Sequence, residues 1–206
     1  MKTAEAAPVM DDELTPTVRA ALAAARAEAD ALRAELARLQ RRLDEVELLA
    51  DRDPLTPVLN RRAFTRELTR MIAFCERYEA PGSLVFFDLD GFKTVNDRFG
   101  HAAGDAALQV AAAILADHVR ESDVVGRLGG DEFAVILAQA GREAAEAKAA
   151  DLQARLEAEP VVFGGQAIPL RASFGVRAFE PGLSAAQVLA EADAAMFLRK
   201  GDRRRD

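Results

Sequence analysis

Asp131 and Glu132 stand between two glycines and a continuous apolar run, in the stretch RLGGDEFAVIL from Arg127 to Leu137. Asp88 lies near the end of a second apolar run, SLVFFDLD, from Ser83 to Asp90. Each run reads as a strand buried on both faces. If the two strands are neighbours, these carboxylates converge at one edge of a sheet. Clustered carboxylates at strand ends suit Mg²⁺, a hard cation bound by one or two acids together with substrate phosphates. Gly129 and Gly130 would supply positive φ at a hairpin turn, and their bare backbone lets a ligand come close. Taken alone, the same four residues also fit a tight turn with solvated acids, since Gly and Asp dominate such turns for conformational reasons.

Spacing excludes two other chemistries. Asp88-Leu89-Asp90-Gly91 resembles the start of a calcium loop, but Phe92 and Lys93 occupy the positions where such a loop needs an oxygen ligand and a glycine. No Gly-x-x-x-x-Gly-Lys-Ser/Thr stretch occurs, so a Walker-type phosphate loop is ruled out.

The elements that must hold these acids follow from periodicity. Residues 61–79 place Phe64, Leu68, Met71, Ile72 and Cys75 on one helical face, and Pro81-Gly82 ends that helix. Residues 104–119 are helical by the spacing of Leu108, Ala112, Leu115 and Val119. Asp123–Leu128 and Phe133–Leu137 form a hairpin around the glycines. Residues 142–158 form a helix ended by Pro160, and Val161–Phe163 with Ala167–Val176 form a second hairpin. Ser184 and Gln187 make a capping box for a last helix over 185–200. The order β-α-β-β-α-β, with extra elements, predicts an α+β fold: a ferredoxin-like antiparallel sheet with helices on one face.

Ahead of this domain, residues 1–14 read as an acidic disordered segment, and residues 15–52 as a long helix. Val18, Leu22, Ala25, Ala29, Leu32, Leu36, Leu39, Leu43, Val46 and Ala50 alternate spacings of four and three. That is a heptad repeat, predicting a left-handed coiled coil. Glu28 with Arg33, and Arg42 with Glu47, occupy g and following e positions, which favours a parallel in-register homodimer. A single amphipathic helix folded on its own domain is the competing reading. Pro54 and Pro57 end the helix and make a short joint to residues 53–206.

Composition narrows the classes. The net charge of −7 argues against a general nucleic-acid binder. The single cysteine, Cys75, allows no intrachain disulfide and fits a reducing cytoplasm. The first residues lack a signal-peptide apolar core, and no run approaches the 18 apolar residues that mark a membrane span.

Five stretches, in order, resemble the GGDEF diguanylate cyclases. They are DPLTPVLNRRAF (53–64), FDLDGFKTVNDRFGHAAGD (87–105), GGDEF (129–133), SFGV (173–176) and ADAAMFLRK (192–200). The resemblance covers the globular part and implies a nucleotide-cyclase palm-like domain that joins two GTP into cyclic di-GMP and releases two pyrophosphates. It implies that Asp88 and Asp131 hold Mg²⁺ (or Mn²⁺) with help from the Leu89 carbonyl. It places Glu132 beside the attacking 3′-hydroxyl, as a base or second-metal ligand. Lys93 would contact the phosphates, Phe92 and its backbone neighbours would line their pocket, and Lys200 and Arg204 would hold the terminal phosphate. Asn96 and Asp105 would read guanine, with His101 nearby in sequence, its more ordinary reading a structural one. A carboxylate at Asp105 accepts from both the ring N–H and the exocyclic amine of guanine, a donor pair adenine lacks.

Arg120-Glu121-Ser122-Asp123 ends five residues before the glycine pair. By the same resemblance, Arg120 and Asp123 form a site where product binds and inhibits. A catalytically inactive receptor for cyclic di-GMP is the alternative function, and a coiled-coil scaffold with an incidental globular end is a third. Some positions depart from the family pattern: Pro57 replaces a glycine, Phe197 a tyrosine, and Arg203 a glycine. The last of these leaves Arg203, Arg204 and Arg205 as alternatives for the terminal phosphate.

Overall fold

The structure is a computed structural model that describes residues 15–203. The expected disorder of residues 1–14 and the roles considered for Arg204 and Arg205 lie outside the described residues. The chain divides between Ala50 and Asp51 into two units.

The first unit is helical. Helix α1 runs from Pro16 to Asp51. Its heptad residues Leu32, Leu36 and Leu39 are 65%, 63% and 53% exposed. Arg33 bonds Asp30 at 2.8 Å and Arg38 bonds Glu35 at 3.1 Å along the helix. These exposed i,i+3 pairs contribute little stability.

The second unit is built on a five-stranded sheet ordered β1-β3-β4-β2-β7. These strands are β1 (Leu59–Asn60), β2 (Gly82–Leu89), β3 (Val124–Arg127), β4 (Glu132–Ala138) and β7 (Ala172–Ala178). Strand β2 is central and antiparallel to both β4 and β7, with Asp88 opposite Glu132 on one side and Ser173 on the other. The sheet departs from all-antiparallel at one edge, where β1 runs parallel to β3 and sets Asn60 opposite Arg127. Two residues are too short a strand to give a readable alternation.

The β2-β3-β4-β7 core keeps helices α4 (His101–Asp117) and α5 (Arg142–Ala158) on one face. There Val85, Phe87, Phe133 and Val135 pack against Leu108, Leu115, Leu152 and Leu156. The other face is covered too, contrary to the one-sided arrangement expected. Leu84, Phe86 and Ile136 meet Phe64 and Leu68 of α2 (Arg61–Tyr78) and Val188, Ala192 and Met196 of α6 (Ala185–Arg203). The alternating side chains of β2 therefore feed two cores, which is why its sequence reads as an unbroken apolar run.

Three further differences have local causes. A helix, α3 (Phe92–Phe99), precedes α4, and α4 begins three residues before the expected start. Gly91 (φ 70°) and Gly100 (φ 85°) turn the chain at the start of each helix. The expected strand over 167–176 is split: β6 (Gln166–Ile168) pairs with β5 (Val161–Phe163) in a separate ribbon, and β7 starts at Ala172. Pro169 lacks the N–H a continuous ladder requires. Gly129 and Gly130 do not adopt the left-handed φ expected of them; the left-handed glycines are 91, 100, 164, 165 and 182. The capping box formed as expected: Ser184 N–H donates to Gln187 Oε1 (3.0 Å) and Gln187 N–H to Ser184 Oγ (3.3 Å).

Candidate active site

The β3–β4 turn closes with Leu128 N–H donating to the Glu132 carbonyl at 2.8 Å. Leu89 N–H donates to the Asp131 carbonyl at 3.1 Å, fastening this turn to the end of β2. Asp88, Leu89, Asp131 and Glu132 are thereby brought to one sheet edge. Gly129 is there for room: a Cβ on it would lie 2.3 Å from Glu132 Oε2. Gly130 faces open space.

Lys200, near the end of α6, reaches this edge from across the chain. Its ammonium is bonded to Asp88 and lies 3.2 Å from Asp90 Oδ1. Asp90 is itself held by Ser173 Oγ, at 3.1 and 2.9 Å to its two oxygens. Burial pushes the Asp88 carboxyl above the usual range; Lys200 pulls it back, and Asp131 and Asp90 push it further up. Burial likewise raises Glu132, with Arg61 opposing and Asp193, Asp131 and Asp88 adding to the rise. Burial lowers the Lys200 ammonium, but its bonds to Asp88 and Asp90 outweigh that and hold it above its ordinary value. Neighbouring acids that are costly to ionise together mark a place where added positive charge is favourable.

That donor set fits a divalent cation. Carboxylates on Asp88 and Asp131 with the Leu89 carbonyl give hard oxygen ligands on an open edge. Among the described residues no group of three or more acidic, histidine or cysteine side chains is placed to hold a metal ion by itself. An open edge suits Mg²⁺, which keeps few protein ligands and takes the rest from phosphates and water. The Lys200 ammonium, lodged between Asp88 and Asp90, already balances part of the negative charge there.

Beyond β2 the chain turns at Gly91 into α3. No side chain caps this helix start; Thr94 N–H donates to the Gly91 carbonyl at 2.8 Å, and the amides ahead of it, at Phe92 and Lys93, precede any intrahelical acceptor and favour an anion. Lys93 lies in that first turn. The Phe92 ring instead packs inward against the core, and its Cζ lies 3.2 Å from where a Gly104 Cβ would be. Asn96 Oδ1 would sit 2.0 Å from the same Cβ, so Gly104 lets α3 and α4 approach. Asn96 is thus set beside the start of α4, which carries His101 and Asp105, both exposed.

Arg120 and Asp123 lie at the other end of β4. Strand β4 has seven residues, so its two ends lie about 20 Å apart at strand rise. Asp123 already has structural work: Oδ2 accepts from Arg120 N–H and Oδ1 from Ala138 N–H, both at 3.0 Å. Beside it is a cavity of about 370 Å³ that Arg120, Gln139, Lys148 and Asp151 also line.

Sequence reasoning missed four contributors: Asp90, Arg61, Asp193 and Arg127. Arg127 stands in the motif-bearing stretch itself, and its Nε and Nη2 both donate to the Gly130 carbonyl (3.1 and 2.8 Å). Asp90, Arg61 and Asp193 also sit within quoted motifs, but only the packing of the elements brings their charges to this site.

Comparison with known proteins agrees with this geometry. Residues 50–206 match the family model described as diguanylate cyclase, GGDEF domain. Diguanylate cyclase DgcP of Pseudomonas aeruginosa is 36% identical over 148 residues, 72% of this chain and 22% of that protein. Diguanylate cyclase TpbB of the same species is 36% identical over 173 residues, 83% of this chain and 40% of that one. The chain therefore spans between a fifth and two fifths of these relatives. The coiled coil and GGDEF domain of DgcB from Caulobacter crescentus, solved in complex with c-di-GMP, superposes with a TM-score of 0.76 at 27% identity, covering 86% of this chain and 94% of that one. With the family model spanning the whole second unit and its signature acids gathered at one sheet edge, this chain belongs to the GGDEF-domain family of diguanylate cyclases.

Proposed function

We propose that the chain is an active diguanylate cyclase that condenses two GTP into cyclic di-GMP and two pyrophosphates. The observation that carries this reading is the convergence of Asp88, Asp131 and Glu132 on the bare Gly129–Gly130 backbone. Asp88, Asp131 and the Leu89 carbonyl would hold Mg²⁺, or Mn²⁺ in its place. The metal, when bound, neutralises triphosphate charge and favours ionisation of the attacking hydroxyl. Lys93 and the first-turn amides of α3 bind phosphate oxygens. Lys200, once exchanged off Asp88, becomes a second point charge for the terminal phosphate. Glu132, lifted by burial and by its acidic neighbours, is suited to take the proton of the 3′-hydroxyl. Asn96 and Asp105 read the guanine edge, and this favours GTP over ATP.

One domain offers half of a two-substrate site, so two copies must face each other. The exposed Leu32, Leu36 and Leu39 seam supports a parallel homodimer through α1. Such a dimer raises the effective concentration of one half-site near the other. Arg120 and Asp123, with the adjacent cavity, form the product-inhibition site, and Lys148 supplies further positive charge there. None of the helices, among the described residues, is long and apolar enough to cross a membrane. With GTP as substrate, the cytoplasm is the compartment in which the chain works.

The test is purified protein with GTP and Mg²⁺, the product followed by chromatography. Cyclic di-GMP that accumulates and then stalls while GTP remains is the expected course. No product, even after pre-bound nucleotide is stripped, would leave a receptor for cyclic di-GMP as the function.

A further inference from the structure

We propose that Arg127 is a positioning residue for the reacting edge, and that Asp53 holds it to that task. The kinetic consequences rest on the cyclase reading; the structural consequence does not.

Arg127 is the last residue of β3, and its side chain is only 15% exposed. Three of its N–H groups are committed within the described structure. Nε and Nη2 grip the Gly130 carbonyl at 3.1 and 2.8 Å. Nη1 donates to Asp53 Oδ1 at 3.1 Å. Asp53, 12% exposed, stands in the loop between α1 and β1. Its Oδ1 also accepts from Leu55 N–H (3.2 Å), Thr56 N–H (2.9 Å) and Thr56 Oγ1 (2.8 Å). The loop is closed by Asp53 N–H donating to the Val58 carbonyl at 3.0 Å. Asn60 then pairs beside Arg127 in the sheet.

The Gly130 carbonyl belongs to the peptide plane whose other half is the Asp131 N–H. In a trans peptide the two point in opposite directions. A two-point grip on the carbonyl therefore aims the Asp131 N–H away from Arg127 and fixes the plane that carries Asp131. A glycine on one side of a plane leaves the ψ that turns it less restricted, so the plane rotates more easily unless something holds it. The Gly130–Asp131 plane has glycine on its first side, and even a side chain at Gly130 would meet nothing that could hold it sterically. The Arg127 fork provides that restraint, and Asp53 prevents the fork from swinging out. Lysine cannot substitute, because one ammonium lacks the planar fork that spans a carbonyl and a carboxylate together.

Full-length Arg127→Lys and Asp53→Asn test the proposal by two readouts. The first is amide hydrogen exchange without nucleotide. We expect faster exchange confined to the turn at 128–132, with β2 and α4 unchanged. The second is turnover with GTP across a Mg²⁺ titration. We expect kcat to fall on the order of 10–100-fold, the scale of a displaced reacting group, and half-maximal Mg²⁺ to rise several-fold. Asp53→Asn should change both in the same direction by less, and it serves alone if Arg127→Lys does not fold. Unchanged exchange at the turn overturns the proposal, as does exchange that rises throughout the domain in step with lost activity. If the unsubstituted protein makes no product, the cyclase reading falls, and exchange at the turn alone decides the role of Arg127.

Discussion

The two ends of β4 carry acids of opposite employment. At the Asp123 end, both carboxylate oxygens accept backbone N–H groups, and the residue stitches the start of β3 to the end of β4. At the Asp131–Glu132 end, burial and mutual repulsion raise Glu132 and its cross-strand neighbour Asp88, and the turn is braced by other residues. One end spends its carboxylate on holding the fold. At the other the turn is held by Arg127, Leu128 and Leu89, which on the proposed reading leaves its carboxylates for a cation. Acids of the same type, on the same hairpin, therefore have separable consequences when they are removed.

The largest expected effect lies at the reacting end. Asp131→Ala and Glu132→Ala should each lower cyclic di-GMP synthesis by at least about a thousandfold, the scale of losing a group that acts in the transition state. Their melting temperatures should stay level or rise, since functional acids held near one another oppose stability. A fall in Tm as large as that of an Asp123 variant would erase the contrast. Next comes Asp123→Ala. It strips two backbone N–H groups of their acceptor and should cost about 1–3 kcal/mol, read as a lower urea midpoint. Arg120→Ala should instead raise the product level at which turnover stalls, with little loss of stability. An unmoved stall point would remove Arg120 from the inhibitory site.

The glycines sharpen the same comparison. A Cβ at residue 129 displaces the far end of Glu132, a flexible side chain, so Gly129→Ala should reduce activity about tenfold or more with little loss of stability. Gly130→Ala meets nothing in the free protein, so any loss there reports on the space a ligand needs. Equal stability losses for both would mean that backbone conformation, not room, is what the glycines supply.

The smallest effect is a pH dependence. Burial pushes Asp53 up, but the Thr56 and Arg127 bonds outweigh it and hold the carboxyl below its ordinary 3.8. A lowered folded pKa contributes stability that is present above the unfolded value and lost as pH falls through the folded one. The stability advantage over Asp53→Asn should be steady near neutral pH and shrink below about pH 4. An advantage that persists well below that range would show that the ion pair does not carry it.

Much of this was legible in the sequence. The apolar runs of β2 and β4 and the heptads of α1 announced their elements because burial imposes period or continuity. The positions of Asp88, Asp131 and Glu132 followed from where those runs end. What stayed hidden depended on space and on distant packing. Helix α3 has apolar residues at Phe92, Val95 and Phe99, but eight residues give too few turns for a firm pattern. The glycine pair looked like a conformational requirement and is one of room at Gly129, which only the position of Glu132 reveals. Lys200 was expected on a phosphate; its place on Asp88 and Asp90 depends on how α6 crosses the sheet.

That lysine makes the chain its own counter-ion supplier. A cage of bare carboxylates would have to wait for metal before it could close, as small metal-dependent domains do. Here an ammonium from the last helix accompanies the acids to the sheet edge, so the edge folds with its charge already partly balanced. On the proposed reading, metal loading would then be an exchange of one cation for another, with the displaced charge released beside the place proposed for the nucleotide's phosphates.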